Sequence, residues 1–415
     1  MGSPQKDSLR TSDLPSVLAL AQASPVREGL QWFSRERHWI NEQHVQLCRV
    51  PAPTFLEGRR AEWMVTQLRS LGWDARIDRG GNVVAWAEGA KGPFVALTAH
   101  LDTVLAPRVP EDIRVDPDGT LRGPGVSDNG AGLAGLLAIA KLWRVNPPVP
   151  AANAASLLLV ANVGEEGEGN LSGMRYLCRQ SALAGRLRSV LVLDGPATEH
   201  ITSQALASRR FELTFNGPGG HSWSDFGTAN PVHAISRAIT NFTDDPRTSR
   251  EGPRCSWNFA TLEGGTSINS IPSDARTKID IRSESGDRID ELVALLTGSV
   301  ERAMQVENER ATASRVTARL REIGARPGGR LADDAPILRY VRAVDQHLGI
   351  RSYVECASTD ANIPLSMNLP AVSIGAGGQG GGAHTPGEWY HPDGREVGLK
   401  RILLTLALLL SDGHC

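Results

Sequence analysis

The chain has 415 residues, 40% of them hydrophobic, with 44 basic and 46 acidic side chains and a formal net charge of −2. Such a length favours two domains over one core, and so even a balance gives no global field to attract polyanions, which excludes nucleic acid as an expected partner. The longest apolar stretch, Ile402 to Leu410, falls well short of the ~20 residues a membrane span needs and reads as a buried helix, so no membrane partner is expected. Met1 to Leu14 shows neither a secretory signal nor a transit peptide, and a cytoplasmic address is expected. Cys48, Cys178, Cys255, Cys356 and Cys415 are odd in number and widely spaced, which fits reduced packing residues better than a disulfide framework.

From Arg27 to Gly72 the apolar spacing is helical on both sides of a break at Pro51 and Pro53, predicting two opening helices. Asp74–Ile77 and Asn82–Trp86 form a hairpin-like pair around Gly80-Gly81. The run Phe94 to Ala99 then reads as a buried strand, and so do Ser156–Val160, Ser189–Leu193 and Pro370–Ile374. Helices at Leu133–Val145 and Pro336–Leu348 alternate with them, the signature of an α/β domain with a mostly parallel sheet. Between Ser208 and Gly324 the rhythm changes: strand Arg210–Asn216, helix Pro231–Asn241, strands Ser256–Leu262 and Ala275–Ser283, helix Asp287–Val306, strand Arg315–Ile323. That βαββαβ order is the ferredoxin-like plan. It predicts an α+β insertion at 208–324 between two parts of one α/β domain, 1–207 and 325–415.

Acidic and imidazole residues gather where the buried strands stop. Phe94–Ala99 runs into His100 and Asp102, Leu157–Val163 into Glu165 and Glu166, Val190–Leu193 into Asp194, and Ala371–Ile374 into a glycine loop ending at His384. Open α/β sheets bind ligands beyond the carboxyl ends of their strands, and Asp128, before the Leu133 helix, is a fifth candidate. Each alone has a plain reading: an N-cap for Asp128, a solvated loop for the glutamates, packing for a histidine. Together they are unfavourable without cations, because neighbouring carboxylates raise one another's pKa. Two imidazoles with several carboxylates suit divalent metal, zinc first, with manganese or cobalt as alternatives. A carboxylate shared by two ions gives the arrangement of two-metal hydrolases.

These residues resemble the two-metal aminopeptidase and amidohydrolase family of peptidase T, carnosinase, aminoacylase and glutamate carboxypeptidase, from about Pro51 to Leu410. Its H-x-D-T-V motif is matched by His100-Leu101-Asp102-Thr103-Val104. The resemblance implies His100, Asp128, Glu166, Asp194 and His384 as ligands of two divalent ions, Asp128 bridging them. It likewise implies that Asp102 orients the His100 imidazole and that Glu165 is the general base that takes a proton from the attacking metal-activated water. It also implies a cis peptide between Asp128 and Asn129, although relatives carry Asp or Met where this chain has Asn129. By the same resemblance the insertion is expected to be a lid and dimerisation domain, with His221, in Gly217-Pro218-Gly219-Gly220-His221-Ser222, reaching the active site of a partner in a homodimer and Asn269 a second lid residue. The implied reaction is hydrolysis of a C–N bond in a small peptide or N-substituted amino acid. An amidohydrolase, deacylase or deaminase acting on another small molecule is one alternative, and a metal-stabilised binding protein without chemistry is the other.

Other features carry less. Gly375 to Gly382 lacks the G-K-[ST] of a phosphate loop, and Ser127 lacks a G-x-S-x-G elbow. Trp32, Trp39, Trp63 and Trp143 lie in helical patterns and read as core. Arg209, Arg210 and Arg282 either grip a substrate carboxylate bidentately or simply flank strands at the surface; Arg209 and Arg282 are kept as substrate-binding candidates.

Overall fold

The computed structural model describes residues 17–149, 155–249 and 252–412. Cys415 and the Met1 to Leu14 segment lie outside them. The chain divides into two compact units, one of residues 1–203, 331–355 and 369–415, the other of 204–330 and 356–368. Cys356–Asn368 thus groups with the second unit and not with the expected 325–415 stretch.

The first unit is α/β. Its sheet runs in the order Asp74–Ile77, Val83–Trp86, Ser156–Asn162, Phe94–His100, Leu187–Leu193, Ala371–Ile374, His200–Ala205. The expectation of a mostly parallel sheet is corrected here. The four strands from Ser156–Asn162 to Ala371–Ile374 pair in parallel, and the strands next to them on both flanks pair antiparallel. The parallel strands are the continuous apolar runs, because a strand buried on both faces has no polar side to alternate; every residue of Phe94–His100 is buried. The unexpected strand His200–Ala205 has the mixed sequence His-Ile-Thr-Ser-Gln-Ala, which carries no apolar run to announce it.

Helix Gly130–Val145, rich in Gly, Ala and Leu, and helix Arg395–Ser411 are buried along nearly their whole lengths. The expected opening helix is broken at Glu36, giving Ser24–Arg35 and Arg37–Cys48 ahead of Gly58–Ser70. Part of the glycine loop is itself a short strand, Gln379–Gly381, paired with Trp389–His391, which pairs in turn with Leu121–Arg122. No helix among the described residues is long and apolar enough to cross a membrane.

The second unit holds a four-stranded antiparallel sheet in the order Cys255–Gly264, Asp274–Ser283, Ala207–Asn216, Thr317–Arg326. Helices Pro231–Thr243 and Gly286–Arg310 supply the rest of its core, where Ile235, Phe242, Leu292 and Leu296 meet Phe215 and Ile279. Strand Asp274–Ser283 alternates buried and less buried residues, as a sheet with one covered face requires. Asn230 caps the first helix by accepting the Val232 N–H at 2.9 Å, and Ser285 caps the second through the Arg288 N–H.

Candidate metal centre

Because the four parallel strands are neighbours with one direction, their carboxyl ends share one edge of the sheet. His100 is the last residue of its strand; Glu165 and Glu166 follow Ser156–Asn162, and Asp194 follows Leu187–Leu193. His384 arrives on the loop after Ala371–Ile374 with a left-handed backbone (φ 65°), a region a non-glycine residue seldom occupies and one that recurs at functional sites. Asp128 sits just ahead of helix Gly130–Val145, and its peptide bond to Asn129 is cis.

Asp128 places one oxygen on each imidazole. Its Oδ1 is 3.1 Å from His100 Nε2 and its Oδ2 is 3.0 Å from His384 Nε2. His384 Nε2 also lies 2.8 Å from Glu166 Oε1, and His100 Nε2 lies 3.9 Å from Asp194 Oδ1. Among the described residues three sets of donor atoms fall within 4.8 Å of one another: His100, Asp128 and Asp194; Asp128, Glu166 and His384; His100, Glu165 and Glu166.

The imidazoles answer the carboxylates electrostatically. Hydrogen bonding to Asp128, then to Glu166, pushes His384 up to about 10. Burial alone would lower His100, but its bonds to Asp102 and Asp128 outweigh it and hold the imidazole well above its ordinary value. Asp128 is held low: burial opposes this, and the two histidines overcome it. A pocket that draws protons onto both imidazoles is one that demands positive charge.

Supporting groups fix each donor. His100 Nδ1 lies 3.0 Å from the backbone carbonyl of Asp102 and 3.5 Å from its carboxylate, so when the ring is neutral and Nδ1 donates, Nε2 turns its lone pair to the cluster. The Asp102 carboxylate accepts the N–H of Glu165 and of Glu166, both at 2.9 Å, and the Thr54 hydroxyl at 3.0 Å. Buried Arg60 donates to the Leu101 carbonyl between His100 and Asp102 at 2.7 Å. Glu57 accepts the Gly164 N–H at 3.1 Å, ahead of the glutamate pair. Gly125, in the loop leading to Asp128, has φ 74°, and a Cβ there would stand 2.4 Å from Thr103 Cγ2, so glycine is required.

His221, Asn269, Arg282 and Arg209 belong to the second unit. His221 is exposed, and its Nδ1 accepts the N–H groups of Trp223 and Ser224 at 3.2 and 3.3 Å, which places the proton of the neutral ring on Nε2. The Asn269 carbonyl accepts the Ser222 N–H at 3.0 Å, joining the two loops. Arg282 pairs with Asp280 at 2.7 Å, and Arg209 with Glu322 at 2.6 Å.

The sequence reading passed over Thr54, Glu57, Arg60 and Glu388, which support the cluster without entering it. Glu388 alone left a trace, as a lone acid four residues beyond His384 in a Gly- and Pro-rich loop.

Comparison with known proteins gives one family match: peptidase family M20/M25/M40, over residues 96–408. A succinyl-diaminopimelate desuccinylase of Pseudomonas syringae pv. syringae is 25% identical over 262 residues, 59% of this chain and 68% of that protein. Among solved structures, a tripeptidase of Staphylococcus aureus superposes with a TM-score of 0.73 at 18% identity, covering 90% of this chain and 98% of that one. A di-peptidase of Saccharomyces cerevisiae gives 0.72 at 13% identity, covering 92% and 98%.

Proposed function

Because the chain belongs to peptidase family M20/M25/M40, and is therefore a hydrolase, we propose that it cleaves a C–N bond in a short peptide or N-acylated amino acid with the help of two divalent metal ions. The observation that carries this reading is Asp128, whose two oxygens each face a different imidazole at 3.0–3.1 Å. One ion would be held by His100, Asp194 and Asp128, the other by Glu166, His384 and the same Asp128. The donor chemistry fits: imidazole nitrogen and carboxylate oxygen suit zinc, with manganese or cobalt also accommodated. When bound, the ions supply Lewis acidity that polarises the scissile carbonyl and lets water ionise near neutral pH.

The protein's own groups do the rest. Glu165 is buried with its N–H fixed by Asp102, and its carboxylate takes the proton of the attacking water and hands it to the leaving nitrogen. Asp102 orients the His100 ring and both glutamates. His221, with its proton on Nε2, is a donor for the carbonyl oxygen as negative charge develops there. Arg282, with Asn269 and Arg209, is assigned to the substrate's polar end. We read the second unit as a lid and a homodimer interface that sends His221 into the partner's site. A cytoplasmic location accords with five cysteines that are odd in number and widely spaced, a usage that suits reduced packing residues.

The likeness to a desuccinylase favours an N-acyl amino acid, whereas the tripeptidase and di-peptidase likenesses favour a peptide. Metal analysis of the purified protein, followed by a panel of di- and tripeptides set against N-acyl amino acids, decides between them. A protein that takes up no divalent ion and cleaves neither class defeats the proposal. For the lid, His221→Ala mixed with Glu165→Gln under proven subunit exchange should regain activity, and a mixture as dead as its components removes His221 from the partner's site.

A further inference from the structure

Glu388 is a buried carboxylate that the proposed chemistry leaves unused. It immediately precedes strand Trp389–His391, four residues after His384, and reaches across to the loop that carries Asp128. One of its oxygens accepts the Gly125 N–H at 2.7 Å, and the other accepts those of Ser127 at 2.8 Å and Asp128 at 2.9 Å. The contact is returned through the backbone, since the Gly123 N–H donates to the Glu388 carbonyl at 3.1 Å and the next two residues pair with Arg122 and Leu121. Converging loop amides make a concavity for an anion, and here the anion is a side chain of the chain itself.

A carboxylate buried in this way is unfavourable unless fully hydrogen-bonded, and an apolar residue would fill the space without that cost. What an apolar residue could not do is fix the direction of three peptide groups within four residues of loop. The Asp128 side chain leaves the loop at the last of them, and the His384 loop is fastened to it at the other end of the same contact.

We propose that Glu388 is a positioning residue. It locks the Asp128 loop to the His384 loop so that the two side chains hold their mutual geometry before any ion arrives. This rests on the two-ion reading of the site. Glutamine cannot replace it: whichever way the amide turns, its NH2 faces a backbone N–H, of Gly125 on one side or of Ser127 and Asp128 on the other.

The test is calorimetric titration of metal-free protein with zinc and with manganese, wild type against Glu388→Gln. The folded variant should bind the ions about 10–100-fold more weakly with wild-type circular dichroism, whatever fall in metal-free melting temperature the lost amide bonds bring. Unchanged affinity in a folded variant overturns the inference, as does a fallen melting temperature with normal affinity of the folded fraction. Hydrogen exchange on the metal-free wild type supplies a second readout that needs no variant: the amides of Gly125, Ser127 and Asp128 should be protected, and rapid exchange at all three overturns the proposal. A wild type that binds no divalent ion defeats the two-ion reading instead and leaves the exchange result standing by itself.

Discussion

Asn129 reaches over to the two peptide groups that flank Asp194. Its Nδ2 donates to the Leu193 carbonyl at 2.8 Å and its Oδ1 accepts the Gly195 N–H at 3.2 Å, while the same Oδ1 caps helix Gly130–Val145 through the Gly132 N–H at 3.0 Å. Asn129 directly follows Asp128, so one amide sets the spacing of two carboxylates. Asn129→Asp would keep both accepted bonds and turn the donor into an oxygen against the Leu193 carbonyl. Its affinity for divalent ions should fall by about tenfold or more, read by calorimetry, with helix content unchanged. Wild-type affinity in that variant would make the bracket dispensable.

Glu165 and Glu166 are adjacent in sequence and assigned opposite tasks. Glu165→Gln should retain both ions and lose activity by roughly 10²–10⁴-fold, whereas Glu166→Gln should lose metal. Elemental analysis alongside turnover separates them, and the reverse pattern would exchange the two roles.

Stability should fall on the acid side through His44. The ring is buried, with Nε2 2.7 Å from the Val126 carbonyl and Nδ1 2.8 Å from an Arg395 nitrogen. Burial, and then the Arg395 guanidinium, hold its pKa well below the ordinary value. The unfolded chain, titrating near 6.5, therefore takes the proton first, so the contribution is present above about pH 6.5 and is lost progressively below it. Urea unfolding of metal-free protein at pH 7.5 and 5.5 should show a smaller acid loss in His44→Gln than in wild type. Equal losses would place the acid sensitivity elsewhere.

Arg401 and Asp345 form a bidentate pair, both contacts 2.6 Å and both side chains buried, between helices Pro336–Leu348 and Arg395–Ser411. Removing Asp345 strands a buried guanidinium, and Asp345→Ala should cost about 3–5 kcal/mol. The exposed pair Arg37–Asp393, at 2.7 Å, is the control: Asp393→Ala should cost less than about 1 kcal/mol. Unfolding midpoints that fall equally in both variants would refute the distinction.

The candidate site was more legible in the sequence than the sheet that carries it. His100, Glu165, Glu166 and Asp194 each end an apolar run, so a change of polarity marked them and the general behaviour of strand ends supplied the crevice. Strand direction has less of a mark: the hairpin of Asp74–Ile77 with Val83–Trp86 was legible, but nothing in the sequence shows that Val83–Trp86 also pairs antiparallel with Ser156–Asn162. Glu36, where the opening helix breaks, is neither proline nor glycine. Glu388 and Arg60 escaped because their roles are bonds to backbone groups far along the chain, which no local pattern records.

Strand Ala371–Ile374 lies between Leu187–Leu193 and His200–Ala205, so the centre of the first sheet closes only after the intervening chain has been made. On the ribosome, Leu187–Leu193 therefore waits as an open edge of buried apolar residues throughout the synthesis of 204–330. The second sheet, drawn from one continuous stretch, can close in the meantime. Open edges of this kind pair with other chains, so polypeptides released before Ala371 emerges are the species most prone to aggregate.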